Sequence, residues 1–180
     1  AKIAGGLDAK ANLDWLYDNC FEPKLKKLIH KNQPYVVLVP GCSDAKPEKR
    51  WPVSKFVDLV VYLGERGFSV VLVGTVQDQA VIDAVKRDAS EVVDLCAQTS
   101  LGQLAIVFQR ASAVVGNDTG PMFLAAKVGV PSLVLMGEHT DPVRSSPSGV
   151  KAAFIKSSNI DAIKVLDVVE QLKNLSVSKL

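Results

Sequence analysis

The run Asn117-Asp118-Thr119-Gly120-Pro121-Met122-Phe123 holds the residues best suited to chemistry in this chain. It follows an apolar stretch, Ala111-Ser112-Ala113-Val114-Val115, and leads into Leu124-Ala125-Ala126-Lys127-Val128. The pattern predicts a buried strand, a sharp polar turn and a helix that opens with proline. Proline suits a first helical turn, where its missing N–H would lack a partner anyway. Gly120 lets another molecule approach the backbone closely. Bare N–H groups at a helix start, reinforced by the helix dipole, attract anions. The chemistry on offer is the holding of a phosphate. Plain capping of the helix by Asp118 or Thr119 accounts for the same residues about as well when the run is taken alone.

Three other loops carry polar residues. Pro40–Trp51 contains Ser43, Lys46, Lys49, Arg50 and Trp51. A glycine turn with several cations suits a pyrophosphate, because Lys and Arg bind phosphate oxygens strongly where water is excluded; a solvated basic loop is the plainer reading. Gly74–Asp78 places Thr75 just beyond a strand, where a polar group suits a ribose or base edge, and a simple strand-to-helix turn is as good an account. Gly137-Glu138-His139-Thr140-Asp141-Pro142 holds one of only two histidines. A histidine can serve as a general base, yet a lone loop histidine is more often structural or solvated, and Thr140-Asp141-Pro142 reads as a turn.

The elements that must position these loops follow from periodicity. Apolar runs predict strands at Tyr35–Val39, Phe68–Val73, Val92–Leu95, Ala111–Val115, Ser132–Met136 and Ala152–Ile155. Helical spacing predicts helices over 54–66, 77–87, 100–110, 121–128 and 161–175. Ser54 is placed to cap the first of these and Gly67 to stop it. Ser100 with Gln103 forms a capping box. Strands alternating with amphipathic helices predict an α/β fold, a parallel sheet with helices on both faces. Ligands in such sheets sit beyond the carboxyl ends of the strands, where all four polar loops fall. Residues 1–34 differ: they read as two short helices, the second amphipathic and basic over Pro23–Ile29. The expected organisation is a helical linker or remnant of a preceding domain at 1–34, then one nucleotide-sugar-binding domain at 35–180.

Composition limits the partners. The chain has 180 residues, 48% hydrophobic and 22% charged, with a net charge of +2. These are ordinary values for a soluble domain, and so balanced a charge does not suggest nucleic-acid binding. Cys20, Cys42 and Cys96 lie far apart. They form no CxxC pair, and an odd count argues against a disulfide framework. No carboxylate or histidine cluster suggests a metal. GxGxxG, GxxxxGK[ST], GxSxG and HExxH are absent, so the usual signatures of dinucleotide binding, P-loop hydrolysis and serine hydrolysis are missing.

In order and spacing, Lys49-Arg50-Trp51-Pro52, Gly67–Gly74, Val114–Met122, Gly129-Val130-Pro131 and Thr140-Asp141-Pro142 resemble the bacterial heptosyltransferases, glycosyltransferase family 9. The resemblance spans about residues 35–175. It implies a Rossmann-like domain forming one half of a GT-B glycosyltransferase, the half that binds the donor. By that resemblance Ser43 and Lys49 contact the ADP phosphates. Thr119 and Gly120 hold the pyrophosphate, Asp118 faces the sugar, Thr75 lies near the adenosine, and Met122 completes the donor site. The implied reaction is transfer of heptose from an ADP-heptose-type donor with inversion, without metal or other cofactor. The implied acceptor is the lipid A core, in a cytoplasmic setting at the inner face of the inner membrane of a Gram-negative bacterium, with a peripheral membrane contact. No catalytic residue is expected in this chain, because the general base belongs to an amino-terminal domain. One departure stands out: Phe123 occupies a position where the family usually has histidine. It keeps two alternatives open, a non-catalytic nucleotide-binding domain and a transferase of the same type using another nucleotide sugar, such as a UDP-sugar.

Overall fold

The computed structural model describes residues 33–43, 46–142, 148–177 and 180. The expected helices within 1–34 therefore lie outside the described residues, apart from the link Gln33-Pro34.

Among the described residues, six strands form one sheet: β1 (Tyr35–Val39), β2 (Ser69–Leu72), β3 (Val92–Asp94), β4 (Ala113–Asn117), β5 (Ser132–Met136) and β6 (Ala152–Lys156). Every pairing is parallel and the spatial order is β3-β2-β1-β4-β5-β6. This is the doubly wound Rossmann order, whose direction reverses between β1 and β4. Every residue of β1, β4 and β5 is buried. A strand covered on both faces has no solvent side to alternate with, which is why these read as continuous apolar runs.

Among the described residues, five α-helices cover the sheet: α1 (Val53–Gly64), α2 (Gln79–Asp88), α3 (Leu101–Arg110), α4 (Gly120–Val128) and α5 (Val165–Asn174). On one face α1, α2 and α5 pack Phe56, Leu59, Ile82, Val168 and Leu172 against Val36, Leu38, Val70 and Leu135. On the other, α3 and α4 pack Ile106, Phe108, Met122 and Ala125 against Val37, Val71, Val114 and Val134. Alternate residues of each central strand thus serve opposite cores. Burying one such leucine or phenylalanine contributes about 1.5–3 kcal/mol.

Several boundaries differ from the periodicity reading. Ser54 does not cap α1; Pro52 is the N-cap residue and no side chain bonds the helix start. The expected helix over 77–87 is a 3₁₀ turn, Val76–Asp78, followed by α2. The expected helix over 161–175 is likewise a 3₁₀ turn, Ile160–Ala162, followed by α5. β4 starts two residues late, because Ala111 closes α3 through its N–H to Phe108 O, and it runs on through Gly116 and Asn117, which pair with Val134 and Leu135 of β5. Gly67, at φ +77°, stops the α1 turn as expected. The Ser100–Gln103 capping box is present in both directions, at 3.2 and 2.8 Å.

Candidate functional site

At the point where the sheet order reverses, a buried amide ties two loops together. Asn117 is fully buried at the end of β4. Its Nδ2 donates to Pro40 O at 2.7 Å, and its Oδ1 accepts from Trp51 N at 2.9 Å. One side chain thereby ties the end of β1 to the start of α1. Trp51 is fixed in turn, its Nε1 donating to Ile163 O at 3.0 Å and its ring standing edge-on to Phe56 with centroids 5.0 Å apart. Trp51 is thus a packing anchor.

A cleft of 630 Å³ opens beyond the carboxyl ends of β1, β2 and β4. Gly41, Cys42 and Ser43 line it from the loop after β1, and Gly74, Thr75 and Asp78 from the loop after β2. The starts of α3 (Ser100, Leu101, Leu104) and α4 (Thr119, Pro121) complete it. Its wall near α3 sets the apolar Leu101 and Leu104 beside Thr99 and Ser100, and its wall near α4 is a helix start. Thr119 is the N-cap residue of α4, and its side chain makes no capping bond. Asp118 does not cap the helix either: its carboxylate is turned to Lys49 and Thr140. The capping account of this run therefore fails. A Cβ at Gly120 would meet nothing within 4 Å, and Gly120 has no positive φ. Among the described residues, no packing or backbone requirement asks for glycine there.

A charged cluster lies alongside. Lys49 Nζ donates to Asp118 Oδ2, and Thr140 Oγ1 donates to the same oxygen at 3.0 Å. Arg50 Nη2 donates to Cys42 O at 2.9 Å and braces the β1 loop. Cys42 Sγ faces Asp118 O at 3.7 Å, and burial pushes its thiol pKa up. Three loops, after β1, β4 and β5, therefore meet at one carboxylate.

The sequence-derived residues sort as follows. Ser43, Thr75 and Thr119 line the cleft, Gly120 sits beside it at the start of α4, and Lys49 with Asp118 forms the cluster. Thr75 spends both its N–H and its hydroxyl on Asp78 Oδ2, at 2.8 and 2.9 Å. Met122 is not brought to the cleft. Its side chain is fully buried in the α3/α4 core and its N–H donates to Thr119 O at 3.1 Å, so packing explains it and it offers a ligand no polar group. Asp78, Thr140 and the apolar residues of α3 were not singled out from the sequence. Asp78 had a readable signal, the Thr-x-x-Asp spacing of a capping box; Thr140 sat within a motif that also reads as a turn. A second cleft, of 670 Å³, lies at the opposite, amino ends of the strands and carries Glu65, Asp88 and Glu91, a charge that repels phosphate. Among the described residues, no helix is long and apolar enough to cross a membrane, and no group of three or more His, Cys, Asp or Glu side chains is gathered as for a metal.

The model of glycosyltransferase family 9 (heptosyltransferase) matches residues 7–175. The chain belongs to glycosyltransferase family 9. Its match to this heptosyltransferase family begins at residue 7, within the segment that patterning set apart. Lipooligosaccharide heptosyltransferase 2 of Haemophilus ducreyi is 30% identical over 141 residues, 75% of this chain and 40% of that relative. Among solved structures, Escherichia coli ADP-heptose lps heptosyltransferase II superposes with a TM-score of 0.76 at 24% identity, covering 88% of this chain and 51% of that one. Escherichia coli heptosyltransferase WaaC with ADP gives a TM-score of 0.71 at 21% identity, over 84% of this chain and 47% of that one. The family 9 chain thus spans two fifths of the curated relative's length and about half of each solved one.

Proposed function

We propose that this chain is the donor-binding half of an inverting, metal-independent heptosyltransferase of lipopolysaccharide core biosynthesis, with an ADP-heptose-type sugar as donor. The observation that carries the reading is the uncapped start of α4, opening on the cleft beside Lys49. The apolar wall of Leu101, Leu104 and Val73 suits a base. Asp78, just beyond β2, suits a ribose hydroxyl, as an acidic residue near that point does in dinucleotide-binding sheets. The pyrophosphate then spans the cleft to Thr119, Gly120 and Lys49, and the sugar falls toward Asp118. WaaC, a relative of this fold, was solved with ADP.

The mechanism follows from where charge grows. As the bond from the anomeric carbon to the pyrophosphate oxygen breaks, that oxygen takes the electron pair. The helix start and the Lys49 ammonium face the charge as it develops, so they stabilise the transition state more than the ground state. The acceptor hydroxyl attacks from the opposite face of the sugar and loses its proton to a base from an amino-terminal domain. In this reading residues 1–34 lead from that domain, the protein works in the cytoplasm at the inner face of the inner membrane, and the acceptor is the lipid A core.

Phe123 favours a second reading, a nucleotide-binding domain without turnover. Its ring is 43% exposed on the first turn of α4, where the family usually has histidine. An assay of the full-length protein with ADP-heptose and a lipid A-core acceptor decides between them. Acceptor-dependent ADP release that persists in EDTA supports the transferase. No release with any ADP- or UDP-sugar supports the second reading, and release abolished by EDTA overturns metal independence.

A further inference from the structure

Asp118 is held by two donors from two other loops, and both use the same oxygen. Lys49 Nζ and Thr140 Oγ1 meet at Oδ2, while Oδ1 accepts no hydrogen bond from the described residues. Thr140 is 2% exposed, so its hydroxyl is committed to this contact. The β5 loop is fixed in place for it: Thr140 N–H donates to Gly137 O at 3.3 Å. A Cβ on Gly137 would stand only 3.3 Å from Glu48 O, so glycine lets the β5 loop lie close against the turn that carries Lys49.

We infer that Thr140 is a positioning residue for the donor sugar, acting through Asp118. The inference rests on the reading of the cleft as an ADP-sugar site. The two donors differ in what a bound ligand does to them. An ammonium carries three protons and swings on a flexible stem, so a pyrophosphate draws Lys49 toward itself. A buried threonine hydroxyl has one proton and a side chain stiff at χ1. When Lys49 turns to the pyrophosphate, Thr140 keeps Asp118 bonded at Oδ2, and the carboxylate keeps Oδ1 toward the sugar hydroxyls. Without that bond the carboxylate would rotate, or follow Lys49.

The test compares ligands with and without the sugar. Calorimetric titration of the chain with ADP and with ADP-heptose is run on the parent, Thr140→Val and Thr140→Ser. Thr140→Val keeps the shape and removes the proton. It should leave ADP affinity within about twofold and weaken ADP-heptose by roughly tenfold or more, the effect of losing a hydrogen bond to a charged group. Thr140→Ser should restore most of the difference. In an Asp118→Asn background Thr140→Val should add little, since residues acting as one unit are not additive. Equal losses for both ligands, no loss for either, failure of serine to rescue, or full additivity with Asp118→Asn each overturn the inference. If Thr140→Val does not fold, Thr140→Ala is read in the same way. A parent chain that binds neither ligand refutes the donor reading itself, an outcome distinct from all of these.

Discussion

The carboxylate of Asp78 lies directly against the backbone of Gly41: a Cβ built on Gly41 would fall 2.0 Å from Asp78 Oδ1. The contact joins the ends of β1 and β2 at the floor of the cleft, and Asp78 is held there by Thr75. Gly41→Ala must push Asp78 away and break its bonds to Thr75. The expected outcome is a loss of about 1–2 kcal/mol in urea unfolding, the scale of a lost cap, together with weaker ADP binding. Unchanged stability and unchanged affinity would show that Asp78 is free to move and does not shape the cleft.

Lys49→Ala separates the charged cluster from the fold. It removes the proposed phosphate donor and the ion partner of a nearly buried carboxylate. ADP affinity should fall roughly 10- to 100-fold, and stability by about 1–3 kcal/mol, as for hydrogen bonds to charged groups. Calorimetry and urea titration read the two effects separately. An unchanged ADP affinity removes Lys49 from the site.

Gly120→Ala gives the opposite pattern. Nothing described crowds that position, and alanine is the better helix residue. Stability should stay level or rise by up to about 1 kcal/mol, while ADP affinity should fall because a methyl group would stand where the phosphate is proposed to approach. A fully functional alanine variant would mean that no ligand comes close to this turn.

Cys42 supplies a pH-dependent probe. Burial raises its thiol pKa above the ordinary value, so the folded chain keeps a proton that the unfolded chain releases. Its contribution to stability is complete at lower pH and is lost as pH rises through the raised folded value. Alkylation by iodoacetamide, followed by peptide mass mapping, should be slow at Cys42 at neutral pH and slower still with ADP present, because Cys42 lines the cleft. Fast alkylation indifferent to ADP would contradict this placement.

The sheet was legible because its central strands are buried on both faces and so appear as apolar runs; Ser100 with Gln103 was legible because a capping box is local in sequence. What escaped depended on partners distant in the chain. Asn117 reads as a turn residue until its amide is seen bridging Pro40 and Trp51, 77 and 66 positions away. Ser54 looked like a cap because its type and position fit one, yet the turn at Pro52 starts the helix. Met122 stands in a motif beside the site, and the period of α4 turns its side chain into the core. Thr140 joined the cluster only when the β5 loop folded back over the Lys49 turn.

The cleft at the β1/β4 reversal is proposed to hold an ADP-sugar. The most direct test is titration calorimetry of this chain in EDTA with ADP, ADP-heptose and UDP. Saturable binding of ADP and ADP-heptose is expected, both tighter than UDP. No heat with either adenine ligand at roughly millimolar concentration, where binding free energy is only about −4 kcal/mol, or tighter binding of UDP, would contradict it.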